Sequence, residues 1–276
     1  CLDLVLVNGA TLPGGLQVPA MGALGCAWAT TAVNWTTALV LFMACRDGRE
    51  AMRGQWSRAH RGVPSVLKDG LPIALQIGLE VWAFNAVGLM VGTFGATPLA
   101  AHAVAMQIVT FTFMVPFGLG VAASTRVGNL IGAGKKAGRA AVIAVSMGVS
   151  WMLCSVVVIG LFPKQVTGIF TDEPTVLAIA VSLLPIAAFF QIFDGVQAVS
   201  SGVLRGAGDT RVPSLINLLG YWAFGLPLGA WLGWRAGLGP PGVWWGLVAG
   251  LVVVSILLLG RLYWVLGRGN FSPRRR

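Results

Sequence analysis

Two acidic residues lie deep in apolar sequence: Glu80 in "LQIGLEVWAFNAV" and Asp194 in "FFQIFDGVQA". An ionised carboxylate in such surroundings costs several kcal/mol unless it is paired, hydrated or protonated. The remaining acids offer no such puzzle. Asp47, Glu50, Asp69, Asp172, Glu173 and Asp209 fall in polar connections, and Asp3 lies in a short apolar segment at the start of the sequence.

Two carboxyls that share one chamber can hold a proton near neutral pH, or a sodium ion or organic cation when ionised. If the chamber cannot hold a small cation and a larger one together, loading one expels the other. That competition is the minimal chemistry of an antiporter. The structural alternative is a pair of protonated acids hydrogen-bonded to Gln191, Asn85 or Gln76. Ionisable groups within membrane segments mark ion and substrate paths, which favours the functional reading.

The elements that must position these acids follow from composition. The chain is 276 residues long, 56% hydrophobic and only 10% charged, with a mean hydropathy of +0.81. A soluble domain carries about 25% charge. Apolar runs of helix-spanning length recur without strand-like alternation, so the sequence predicts an all-α polytopic membrane protein.

The spans are expected at about 21–45, 72–95, 99–124, 139–162, 176–203, 212–234 and 241–266. Before them, "CLDLVLV" reads as the tail of a helix whose beginning lies upstream, followed by a Gly/Pro-rich connection. The segment 46–71, "RDGREAMRGQWSRAHRGVPSVLKDG", reads as a polar linker between two halves. With that linker placed in the cytoplasm and spans alternating, every Lys and Arg falls on the cytoplasmic side except Lys164 and Arg235. The C-terminal "PRRR" joins them. Glu80 then lies about eight residues from the cytoplasmic start of its span, and Asp194 about nine from the cytoplasmic end of an oppositely directed one. At 1.5 Å per residue both sit roughly 12–14 Å deep, with no basic residue expected at that level.

Other signals point away from enzymes and nucleic acid. The net charge of +10 is spread over short loops without a continuous basic face, so no nucleic-acid partner is expected. "VAASTRVGNLIGAGKKAGR" is glycine-rich, but it lacks the Walker pattern and the strand a phosphate loop needs. A helix end with a tight glycine turn fits it better. Cys1, Cys26, Cys45 and Cys154 have no metal or redox spacing. His102 reads as a packed or interfacial histidine and His60 as a loop residue. No nucleophile–base constellation stands out.

Three stretches, "MVPFGLGVAASTRVGNLIGAGKK", "DGVQAVSSGVLRGAGDTRVPSLIN" and "GYWAFGLPLGAWLG", occur in this order. Together they resemble the multidrug and toxic compound extrusion family. The resemblance implies a twelve-helix fold of two six-helix lobes that exports organic cations in exchange for protons or sodium. By it, residues 1–45 are similar to the end of the N-lobe, 46–71 to the inter-lobe linker, 72–266 to a complete C-lobe, and 267–276 to a basic cytoplasmic tail. Glu80 and Asp194 match the two C-lobe acids that bind the coupling cation in NorM-like members, so a sodium ion at Glu80 and Asp194 is implied. Those members often carry a tyrosine one turn before the second acid. Here that place holds Phe190, which removes a phenolic oxygen and favours proton coupling or sodium held by other oxygens.

The sequence therefore predicts a transporter of drugs or organic cations, monomeric, in the inner cell membrane, with linker and C-terminus cytoplasmic. Its site would comprise Glu80, Asp194, Phe190, Gln191 and Asn85, and it would need no cofactor beyond the coupling proton or sodium ion. A lipid-linked-precursor flippase is the transport alternative, although it would want a cationic cavity for phosphates. A multi-helix receptor or structural protein would need no acid pair.

Overall fold

The computed structural model describes residues 9–11, 17–19, 21–44 and 56–267. Residues 1–8 and 268–276, which carry the expected helix tail and nearly all of the basic tail, lie outside the described residues, as do residue 45 and 46–55 of the linker. By internal contacts the chain divides into two units, Cys1–Val66 and Leu67–Arg276. In the first unit, a two-residue bridge pairs β1 (Ala10–Thr11) antiparallel with β2 (Gln17–Val18). Helix α1 (Gly22–Ala44) follows. It presents Leu24, Trp28, Trp35 and Leu39 outward, as a helix solvated by lipid or a partner helix must. The hydroxyls of Thr30, Thr31, Thr36 and Thr37 each donate to the carbonyl four residues earlier, so none is stranded in an apolar medium.

Among the described residues seven more helices follow. They are α2 (Trp56–Gly92), α3 (Ala96–Gly132), α4 (Gly138–Leu161), the short α5 (Pro163–Gly168), α6 (Pro174–Gly206), α7 (Arg211–Arg235) and α8 (Gly239–Gly267). Among the described residues seven helices are long and apolar enough to cross a membrane, at positions within a few residues of most spans read from the sequence. Two ends differ. Residues 56–71, read as linker, begin α2, because polarity marks a watery environment and extending an existing helix is cheap once its first turn has formed. Helix α3 also runs on past the expected end near residue 124. It stops at Gly134, whose φ of 69° is natural only to glycine. The Lys135 N–H there donates to the Leu130 carbonyl at 2.8 Å, closing the helix end. The same glycine turn ends α6, with Gly208 at φ 79° and the Asp209 N–H bonded to the Leu204 carbonyl.

Helix α6 is the centre of the second unit and packs on α3, α4 and α8. Apolar lipid gives no hydrophobic drive between helices, so close packing needs small residues. A Cβ on Gly202 would fall inside the backbone of Gly120, and one on Gly206 inside that of Ser124. Gly148 and Gly195 allow α4 the same approach. Helices α7 and α8 meet through Gly225, Gly229, Gly246 and Gly250. Helix α7 is not uniform: it is π-helical over Leu218–Gly225 and Trp231–Arg235 and α-helical between. Pro227 follows the first π stretch, where a missing N–H breaks the ordinary ladder. By contrast, α3 and α6 continue through Pro116 and Pro185.

Candidate functional site

Helices α2 and α6 run antiparallel and are joined by polar rungs. The Gln76 amide donates to the Ser201 hydroxyl at 3.0 Å, and the Gln197 amide donates to Glu80 Oε2 at 3.0 Å. Four residues up α2 correspond to four residues down α6, one helical turn each. Glu80 therefore faces Gln197, and Asp194 lies one turn further along α6, an offset of about 4.5 Å.

Both acids line one cavity of about 270 Å³ bounded by α2, α3 and α6. Its polar side is formed by Gln76, Glu80, Asp194, Gln197, Ser201 and Arg205. Its apolar lining comes from Phe84 of α2 and from Met106, Phe113, Met114 and Phe117 of α3. Gly120 and Gly202 also border it, so the tightest α3–α6 contact closes part of its wall. Asp194 is buried, and its Oδ1 has no hydrogen-bond partner among the described residues. Glu80 is half-buried.

The sequence leaves no basic residue at the depth of the acids, yet a basic side chain from a span end shares their cavity. Arg205 lines the same cavity and lies within electrostatic reach of Glu80. Its backbone is near the end of α6, but a long guanidinium side chain carries charge well away from its Cα.

The other sequence-derived residues separate. Asn85 lines a neighbouring cavity with His102, Gln107 and Thr93, and donates to the Val81 carbonyl at 2.9 Å. His102 packs edge-on against Trp244. Gln191 is fully buried, with neither amide atom partnered among the described residues, and does not line the acid cavity. Phe190 is fully buried behind the cavity wall, with its ring edge-on to Phe84 at 5.8 Å and to Trp244 at 6.4 Å.

Sequence reasoning missed Gln197, Ser201 and Arg205. The signal was present: together with Asp194 they recur every three or four residues, a polar stripe along the second half of α6. On α2, Gln76 and Glu80 form the matching stripe.

The sequence model of the family described as MatE matches residues 72–231, from α2 through most of α7 and more than half of the chain. The chain belongs to the MatE family. Among MatE relatives, it is 42% identical over 268 residues to the multidrug resistance protein NorM of Burkholderia vietnamiensis, covering 94% of this chain and 58% of that protein. It is 36% identical over 272 residues to the multidrug resistance protein NorM of Aliivibrio fischeri, covering 95% of this chain and 59% of the relative. The structure aligns with that of the eukaryotic MATE transporter AtDTX14 at a TM-score of 0.81 and 26% identity, covering 97% of this chain and 60% of that one. The chain thus spans about three-fifths of the length of these MatE proteins. Seven apolar helices together with these relatives make it an integral membrane protein.

Proposed function

We propose that this chain is the C-lobe, with the end of the N-lobe, of a cation-coupled multidrug antiporter, and that Glu80 and Asp194 are its coupling pair. The observation that carries the reading is that both acids, Asp194 buried and Glu80 half-buried, open onto one cavity. Its two faces suit a lipophilic cation: carboxylates for charge, and Phe84, Phe113 and Phe117 for the hydrophobic body and for cation–π contact. A proton or sodium ion competes for the same carboxylates. The occupant then sets which conformation the two lobes adopt, so that access alternates across the membrane. The NorM relatives are named for multidrug resistance, which supports drugs as the substrate class. The excess of Lys and Arg in alternate loops supports a cytoplasmic linker and C-terminus, and in this reading the protein sits in the inner cell membrane.

The Gln197 bond to Glu80 gives the pair a fixed side and a free side: Glu80 is anchored, whereas Asp194 Oδ1 is unengaged. A cation arriving at Asp194 gains an unsatisfied oxygen without breaking an existing bond. Arg205 leaves the cavity with two acids against one base, a balance suited to one net positive charge at a time and poorly suited to a lipid phosphate.

The test uses the complete transporter in proteoliposomes with a fluorescent organic cation inside. Uptake or release is followed under an imposed sodium gradient and, separately, an imposed proton gradient. Glu80→Gln and Asp194→Asn should each abolish gradient-driven movement while the protein remains folded and inserted. Normal movement by both variants would remove the carboxylate pair from the mechanism.

A further inference from the structure

Tyr221 is fully buried, and its phenolic oxygen has no hydrogen-bond partner among the described residues. A buried hydroxyl left unpartnered loses its hydration with nothing in exchange, so its presence calls for an occupant such as water or an ion. It stands on the π-helical stretch Leu218–Gly225 of α7. Such segments re-aim side chains and are frequent at functional sites.

Tyr221 does not itself line the acid cavity, but three observations put it close behind the wall that carries the acids. The Trp222 indole N–H donates to the Leu79 carbonyl at 3.0 Å, so the residue after Tyr221 is tied to the residue before Glu80. The Tyr221 ring lies 6.1 Å from that of Phe84, which is one turn from Glu80 and forms part of the cavity wall. Tyr221 is also within electrostatic reach of both Glu80 and Asp194. Arg205 approaches Glu80 from α6 and is the basic group that shares this electrostatic neighbourhood.

Phe84 is thus bracketed by two aromatic rings, Phe190 from α6 and Tyr221 from α7. Position 190, one turn before Asp194, carries no oxygen. Position 221 carries one, it is unengaged, and so is Asp194 Oδ1. We propose that Tyr221 supplies the neutral oxygen of the coupling-cation site, delivering from α7 the phenol that position 190 lacks. The ligand is a small monovalent cation, sodium or a proton carried with water, held between Asp194 and the phenol. This rests on the antiport reading above and extends it to a third helix.

The experiment is gradient-driven export of a fluorescent organic cation by the complete transporter, titrated with sodium at fixed pH and with pH in the absence of sodium. The arm that drives export identifies the ion. Tyr221→Phe removes only the oxygen and keeps the ring. It should change the half-saturating concentration of that ion about tenfold, as expected for loss of one bond to a charged centre, with the maximal rate largely kept. Adding Phe190→Tyr to that variant should restore most of the shift. Parent-like half-saturation in Tyr221→Phe overturns the proposal. So does a loss of export that Phe190→Tyr leaves unrepaired, which would assign Tyr221 to packing. Glu80→Gln and Asp194→Asn run alongside: inactive acid variants with an unaltered Tyr221→Phe sink this proposal alone, whereas active acid variants sink the reading beneath it.

Discussion

Glu80 is held by a residue of the neighbouring helix: the Gln197 amide donates to its carboxylate at 3.0 Å, one turn from Asp194. The acid on α2 and the acid on α6 are therefore mechanically linked. A shift of one helix against the other must break or carry this bond. Gln197→Leu keeps the volume and removes the donor. It should change the half-saturating concentration of the coupling ion about tenfold, roughly 1.5 kcal/mol for a bond to a charged group, with a smaller change in maximal rate. Export measured against graded ion gradients checks this, and identical curves for parent and variant would reduce Gln197 to a bystander.

The α3–α6 contact makes a stability prediction. A methyl at Gly202 collides with the Gly120 backbone, which has no rotamer to yield. Gly202→Ala should destabilise the protein by about 1–3 kcal/mol and lower the apparent melting temperature in detergent. Gly118 has open space around its Cβ position, so Gly118→Ala is the matched control and should melt close to the parent.

Much of the fold was legible because the membrane imposes one solution: apolar segments of sufficient length become helices, and basic loops betray the side they face. Helix ends were less legible. The polar residues 56–71 and the segment beyond residue 124 are helical although hydropathy falls there, since hydropathy reports the solvent rather than the backbone. In the site, Glu80 and Asp194 stood out because charge in an apolar run is costly. Gln197 and Ser201 are neutral and common, so they gained meaning only once the α2–α6 register was known. Arg205 counts in the sequence only as one of the cytoplasmic-side charges, although its side-chain length brings it to the cavity. The role of Tyr221 depends on the π-helical turn of α7, which no periodicity in "LLGYWAFG" announces.

Arg205 should weaken the hold of the cavity on its substrate. A fixed guanidinium repels a second cation in a medium of low effective dielectric, and it competes with that cation for Glu80. Arg205→Gln should bind a monovalent organic cation several-fold more tightly, measured by fluorescence anisotropy on the purified complete transporter. Unchanged or weaker binding would mean that Arg205 points its charge elsewhere in the working protein.

Phe190→Tyr places a phenol one turn before Asp194, on a ring that already packs against Phe84. It should strengthen the dependence of export on sodium relative to protons. Parallel assays under imposed sodium and pH gradients would show this as a larger sodium-driven fraction, and an unaltered ion preference would count against position 190 as part of the ion site.

The central claim, that a small cation and an organic cation exclude each other at Glu80 and Asp194, is tested most directly by competition binding. A fluorescent organic cation is bound to the purified complete transporter and titrated with sodium ions, then with protons. Competitive displacement by at least one of them in the parent, with displacement lost in Asp194→Asn, is the predicted result. Simultaneous binding of both cations in the parent, or displacement unchanged in Asp194→Asn, would contradict the account.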